Sequence, residues 1–188
     1  MQRATILGSE ETSLRGCRLI RAFRANDARG SFAKVFSADS CGRFSLGEVF
    51  ITTSSRGVLR GMHLQEPPHA HRKLVFCQRG RAYDVMIDLR LGSPTHGRLY
   101  ECELSPASGV ALLVSAGVAH GFLALDDDTV MLYCTTGPHA PESDKGVHWD
   151  SIGAAWPMAP RVVSGRDEAL LPLGSYVSPF IYDPKIDG

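Results

Sequence analysis

The chain has 188 residues, enough to bury a sizeable core as one domain with a tail. Twenty basic and twenty acidic side chains leave no net charge with His neutral. No basic excess or stripe marks a nucleic-acid binder, so an anionic ligand is expected to be small and locally gripped.

Residues 1–16, MQRATILGSEETSLRG, hold no long apolar run. Neither a secretory signal nor a membrane span is expected there. Short apolar runs then follow: CRLIRAF (17–23), SFAKVF (31–36), LVFCQ (74–78), AYDVMIDL (82–89), RLYECEL (98–104), VALLV (110–114) and TVMLYCT (129–135). Turn signals separate them: Gly80, GSP at 92–94, SPASG at 105–109, SAG at 115–117 and DDD at 126–128. Short strands spaced by such turns predict an all-β sandwich or barrel. Helical periodicity is weak outside 38–47 and 165–170. In 82–89, Ala82, Asp84, Met86 and Asp88 share one face, and Tyr83, Val85, Ile87 and Leu89 the other. The apolar face packs; the Asp-bearing face meets solvent or a polar lumen. After about 137 seven prolines loosen the pattern. The expectation is a single domain over 1–188, with a core at about 15–170 and a loop-rich tail at 171–188 wrapping the sheets. The five cysteines (17, 41, 77, 102, 134) are scattered, with no CxxC pair. Cys77 and Cys134 read as small buried hydrophobes, and the expected setting is a reducing cytoplasm.

One stretch concentrates the chemistry. GVLRGMHLQEPPHAHRKLVF (57–76) carries Arg60, His63, His69, His71, Arg72 and Lys73 between apolar runs. It reads as two strands joined by a Pro-rich turn. Across the chain stand candidate bases (His63, His120), cations (Arg60, Lys73), a phenol (Tyr133) and a carboxylate (Asp167). Taken singly, each has an ordinary reading as a core imidazole, a surface salt bridge or a core aromatic. In strict alternation His63 and Gln65 face one way and Arg60, Met62 and Leu64 the other. Arg60 joins His63 only if the strand bulges, which Gly61 permits. In SAGVAHGF (115–122) a Gly-containing turn precedes His120, a way for a sheet to deliver an imidazole to a barrel mouth.

With these residues in view, the chain resembles the nucleotide-sugar 3,5-epimerases typified by dTDP-4-dehydrorhamnose 3,5-epimerase. The resemblance rests on DARGSF (27–32), GVLRGMHLQ (57–65), KLVFCQRGRAYDVMIDLR (73–90), SPTHG (93–97), AHGF (119–122), Leu132-Tyr133, Trp149-Asp150, WP (156–157) and SGRD (164–167). They occur in the family's order over most of 15–170. The resemblance implies a cupin-type jelly roll, a homodimer with exchanged N-terminal strands, and no metal or redox cofactor. It implies a nucleotide-diphosphate sugar as partner, a 4-keto-6-deoxyhexose or close relative, with no nucleic acid or membrane partner. By match to the family, His63 removes a proton from C3 or C5, and Asp167 pairs with it. Lys73 sits where the family stabilises the enolate oxygen. Tyr133 sits where it returns a proton to the opposite face. Arg60 matches the diphosphate contact, where a forked guanidinium suits phosphate oxygens. His120 matches a pocket-lining imidazole. Arg29 and Gln65, within the matched motifs, are expected on the substrate.

The departures fall on base reading. The family's D-x-R-G-F-F-x-E has Ser31 and Lys34 here, and Ala25 replaces an aromatic. Its Q-x-N reads Glu48-Val49-Phe50, the Gln of its Ala-Gln pair is His71, and a Tyr that often stacks on the base is His139. Lys34 donates only, whereas an acidic residue accepts a pyrimidine N–H. A nucleotide or sugar other than the usual dTDP-4-keto-6-deoxyglucose is therefore expected, with GDP, CDP or UDP as candidates beside dTDP. Two other readings stand beside the epimerase. A metal-dependent cupin dioxygenase or isomerase needs His-x-His, but here it reads His63-Leu64-Gln65, leaving His69 and His71 as substitutes. A non-catalytic sugar-binding cupin has no need of His63, Lys73, Tyr133 and Asp167 together.

Overall fold

Short runs of Val, Leu, Phe and Tyr punctuated by Gly and Pro favour extended backbone. The computed structural model describes residues 8–36 and 44–187. One sheet has six antiparallel strands, in the spatial order β1 (Gly8–Glu11), β2 (Arg18–Arg21), β10 (Val110–Val114), β7 (Lys73–Arg79), β12 (Thr129–Thr135) and β5 (Glu48–Ser54). A second has five: β13 (Asp144–Gly146), β6 (Leu59–Gln65), β11 (Val118–Ala124), β8 (Ala82–Asp88) and β9 (Leu99–Leu104). A separate hairpin pairs β3 (Phe23–Asp27) with β4 (Gly30–Lys34). The two large sheets form a jelly-roll β-sandwich, the all-β architecture expected from the sequence.

Three apolar clusters follow from strand alternation. Between the sheets, Val75 and Cys77 of β7, Leu112 and Val114 of β10 and Met131 of β12 meet Ala82, Met86, Phe122 and Ala124 of β8 and β11. The outer face of the five-stranded sheet carries Met62, Leu64, Val85, Ile87 and Ala119, covered by Val147, Ile152 and Phe180 from the C-terminal part. The outer face of the six-stranded sheet carries Ile20, Leu74, Phe76, Ala111 and Leu113 under Phe44. Burying each such Leu, Ile or Phe contributes roughly 1.5–3 kcal/mol. A sheet covered on both faces explains why Asp84 and Asp88 lie fully inside. The Asp-bearing face of 82–89 is thus the lumen, not the solvent side.

Other expectations need adjustment. The run 17–23 is split at Ala22 between β2 and the hairpin, and β5 is a strand that the apolar runs did not reveal. Of the helical window 38–47, residues 38–43 lie outside the described residues and 44–47 are not helical. The window 165–170 yields a single turn, α1 (Gly165–Glu168). Ser164 caps it, its Oγ accepting the Asp167 N–H at 3.1 Å. Among the described residues no helix is long and apolar enough to cross a membrane.

Candidate active site

Strand β6 carries the first part of the site, and its bulge decides the outcome. Opposite β11, Phe122 pairs with Arg60 and His120 with His63, so three residue steps on β6 match two on β11. The extra residue falls at 61–62. Gly61 takes φ +141°, and a Cβ there would come within 2.5 Å of the Gly121 Cα. Only glycine lets the two backbones approach this closely. The bulge turns Arg60 to the same cavity as His63 and Gln65, while Met62 and Leu64 pack outward.

His63 Nε2 lies 2.7 Å from Asp167 Oδ1, and the Gly61 N–H donates to Asp167 Oδ2 at 3.1 Å. Burial alone would raise the Asp167 carboxyl, but the bonds from His63, Gly61 and Ser164 and the His63 charge hold it below the ordinary carboxylate value. An ionised carboxylate only accepts, so Nε2 carries the proton and Nδ1 is left as the basic nitrogen. Burial, with the nearby Arg166 and Lys73 charges, pulls His63 below its ordinary value against the opposing pull of Asp167. The imidazole is therefore neutral and ready to accept a proton at neutral pH.

The facing wall comes from the six-stranded sheet. Alternate residues of β7 and β12 place Lys73, Tyr133 and Thr135 on the lumen side. Lys73 Nζ donates to the His63 carbonyl at 3.3 Å. Burial pulls its ammonium down to about 8, with Asp144 opposing. Tyr133 is 7% exposed, and burial pushes its phenol well above the ordinary value, so it holds its proton. On the neighbouring edge strand, Glu48, Phe50 and Thr52 share the lumen face. Phe50 stacks on Tyr133, with ring centroids 4.8 Å apart and planes 11° from parallel. The imidazole of His120 meets Tyr133 edge-on at 6.1 Å. His120 Nε2 in turn bonds Asp84 Oδ2 at 2.8 Å, deep in the lumen.

The remaining lining residues form two ends of a cavity of about 260 Å³. At one, the Arg60 Nε donates to Ser54 Oγ at 3.0 Å. At the other, Asp144 binds both His139 Nε2 at 2.9 Å and Arg166 Nη2 at 2.8 Å, and the His139 N–H donates to Glu48 Oε2 at 3.2 Å. Gln65 Oε1 accepts the Ala140 N–H, anchoring the loop beside this end. His71 also lines it; its buried Nδ1 makes no hydrogen bond of good geometry. Burial and the Lys73 charge pull His71 down to about 4, so it stays neutral.

The cavity thus gathers His63, Lys73, Tyr133, Asp167, Arg60, Gln65, His71, His120, His139 and Glu48 from the sequence-level candidates. It does not gather Arg29 or Lys34. Both sit on the β3–β4 hairpin, where Arg29 pairs with Asp27, and neither lines this cavity. Sequence reasoning passed over Phe50, Thr52, Thr135, Asp144, Ser164 and Arg166 as lining residues. Period-two spacing from Glu48 and from Tyr133 would have found the first three. Arg166 adjoins Asp167. Asp144 reaches the site through the pairing of β13 with β6, which no local signal announces. As for metal ligands, His69 Nδ1 bonds Ser143 Oγ at 3.0 Å. Among the described residues no group of three or more His, Cys, Asp or Glu is placed to hold a metal ion.

A jelly roll with an imidazole–carboxylate pair, an ammonium and a phenol in its mouth defines a cupin-type sugar isomerase. The model of the family described as dTDP-4-dehydrorhamnose 3,5-epimerase matches residues 11–174. A dTDP-4-dehydrorhamnose 3,5-epimerase of Sinorhizobium fredii is 39% identical over 169 residues, covering 85% of this chain and 86% of its own. NovW, a 4-keto-6-deoxy sugar epimerase from the novobiocin biosynthetic gene cluster of Streptomyces spheroides, superposes with TM-score 0.86. It is 31% identical, over 93% of this chain and 91% of its own. RmlC of Legionella pneumophila, a dTDP-6-deoxy-D-glucose-3,5-epimerase solved with dTDP-4-keto-L-rhamnose, gives 0.87 at 28% identity, over 94% and 99%. The chain belongs to the dTDP-4-dehydrorhamnose 3,5-epimerase family, and it is an isomerase.

Proposed function

We propose that the cavity inverts C3, C5 or both in a nucleotide-linked 4-keto-6-deoxyhexose, without a cofactor. The observation that carries this is a shared cavity in which His63 of one sheet, paired with Asp167 of α1, meets Lys73 and Tyr133 of the other sheet. The C4 ketone acidifies its neighbouring C–H bonds. His63 Nδ1 takes one of these protons as the C–H electron pair moves into the ring and onto the C4 oxygen. Asp167 stabilises the imidazolium. The Lys73 ammonium offsets the charge that develops on the enolate oxygen. The Tyr133 O–H then gives its proton to carbon from the opposite face. The phenolate and the imidazolium return to their resting states by proton exchange with water. Arg60, at the open end beside Ser54, is positioned to fork onto diphosphate oxygens.

The base-reading residues support a nucleotide other than dTDP. Neutral His71 lines this end with its Nδ1 buried, and the Glu48–His139–Asp144 linkage makes the end polar rather than aromatic. Arg29 and Lys34 join the substrate only if the β3–β4 hairpin reaches a second copy's cavity, which the homodimer reading supplies. A cytoplasmic setting and a role in deoxysugar biosynthesis complete the proposal. Two measurements test it. A dTDP-4-keto-6-deoxyglucose probe, with CDP, UDP and GDP counterparts, is incubated in deuterated water, and label at C3 and C5 is expected. No label from any of the four would refute the epimerase. Binding of dTDP, CDP, UDP and GDP is then measured, and dTDP binding tightest by a wide margin would sink the altered-nucleotide reading.

A further inference from the structure

Position 50 combines three features. It lies on edge strand β5, directly opposite Tyr133 in the β5–β12 ladder. Its ring lies flat on the Tyr133 ring. It is 41% exposed, whereas Tyr133 is 7% exposed. The solvent-facing side of this aromatic pair is therefore Phe50, and the phenol ring lies beneath it. On the other side His120 presents its ring to Tyr133 nearly perpendicular, 74° between planes, and is itself held by Asp84. Tyr133 is clamped between a stacked phenyl and a tethered imidazole. Without the phenyl at 50, one face of the phenol in this chain would be open, and the phenol free to swing towards the edge of the sheet.

We infer that Phe50 is a positioning residue for the proton that Tyr133 delivers. Resting on the epimerase reading above, it separates the two halves of the reaction. Abstraction depends on His63, Asp167 and Lys73, none of which is in ring contact with Phe50. Inversion requires the Tyr133 O–H to break towards the enolate carbon from the face away from His63, leaving a phenolate that water reprotonates. If the phenol is misplaced, the imidazolium exchanges its proton with solvent and returns a deuteron to the face the proton left. The product is then exchanged but not inverted. A misplacement of about 1 Å in a reacting group costs on the order of a hundredfold, so the ratio of inversion to exchange is the sensitive quantity.

The test follows both events in deuterated water, using whichever probe nucleotide sugar the wild-type protein exchanges. NMR counts label and configuration at C3 and C5. In Phe50→Ala, inversion is expected to fall about ten- to hundredfold further than exchange. Phe50→Tyr keeps a stacking ring and is expected to restore the wild-type ratio. The double variant Phe50→Ala/Tyr133→Phe is expected to be no worse than Tyr133→Phe alone, because both remove one delivery step. A general loss of structure lowers exchange and inversion together and is not rescued by tyrosine. An unchanged ratio in Phe50→Ala, or additive losses in the double variant, overturns the role of Phe50 and leaves the epimerase standing. Absence of exchange by the wild-type protein with every probe overturns the epimerase itself, and Phe50 with it.

Discussion

His63 and His120 face each other across the β6–β11 ladder, and each imidazole bonds one carboxylate, at 2.7 and 2.8 Å. Their surroundings differ. The side chains of His63 and Asp167 are 21% and 4% exposed; those of His120 and Asp84 are 4% and 0%. Asp167 gathers donors from Gly61 and Ser164 and falls below the ordinary carboxylate value. Asp84 has one buried oxygen with no partner, and burial pushes its carboxyl up against the opposing pull of His120. The same pair of residue types is thus set for proton transfer at the cavity wall and for holding a ring in place inside it. Solvation and donor count, not the pairing itself, decide which role follows.

The largest effect separating the pairs is expected from the first. His63→Ala removes the base, and Asp167→Asn removes the anion that fixes its tautomer. Each should lower deuterium exchange by about 10²–10⁴-fold with the fold retained. Exchange near the wild-type rate in His63→Ala would end the assignment of His63 as base.

A pH profile sharpens the comparison at intermediate scale. In the free enzyme, kcat/KM should fall as pH rises through about 8, where Lys73 loses the proton that faces the enolate. It should also fall on the acid side, below the ordinary imidazole value, as His63 becomes protonated. Asp167 raises His63, so Asp167→Asn should move the acid limb of the residual activity further down. Asp84→Ala should leave that limb in place. An acid limb that moves with Asp84 instead would assign the base to the wrong imidazole.

The smallest effect on chemistry and a clear one on stability are expected from the second pair. Asp84→Ala strands the His120 Nε2 inside the lumen without an acceptor, at a cost of about 1–3 kcal/mol. For a chain of this size each kcal/mol lowers the thermal midpoint by roughly 2–4 °C. Calorimetry reads that loss while deuterium exchange persists. A wild-type midpoint in Asp84→Ala would show that the buried pair contributes nothing to the fold.

The strands β7, β8, β10 and β12 were legible because each alternates or runs apolar between turn residues. Strand β5 was not: EVFITTS mixes two faces, and its apolar outer residues Val49 and Ile51 remain exposed at the sheet edge. Lys73 and Tyr133 were legible through the family's motifs, and strand period sets both on the lumen side. Arg60 and His63 needed one more fact, the bulge at Gly61, which the sequence allowed without requiring. Arg29 was matched from a motif and Lys34 singled out as a departure from it, yet neither lines this cavity. A local match records residue type and spacing, not which surface the segment meets.

The residues themselves determined the all-β class, the alternation of short strands with turns, and the set of acids, bases and cations. Those properties follow from backbone periodicity and side-chain chemistry, which act over a few neighbours. Tertiary structure decided which imidazole meets which carboxylate, that Asp84 faces a lumen, that Asp144 links His139 to Arg166, and that Phe50 lies on Tyr133. These depend on strands distant in sequence being brought into register, and on how much water each contact excludes. Burial moves Asp84 up while donors bring Asp167 down, and neither direction can be read from the letter D in a sequence.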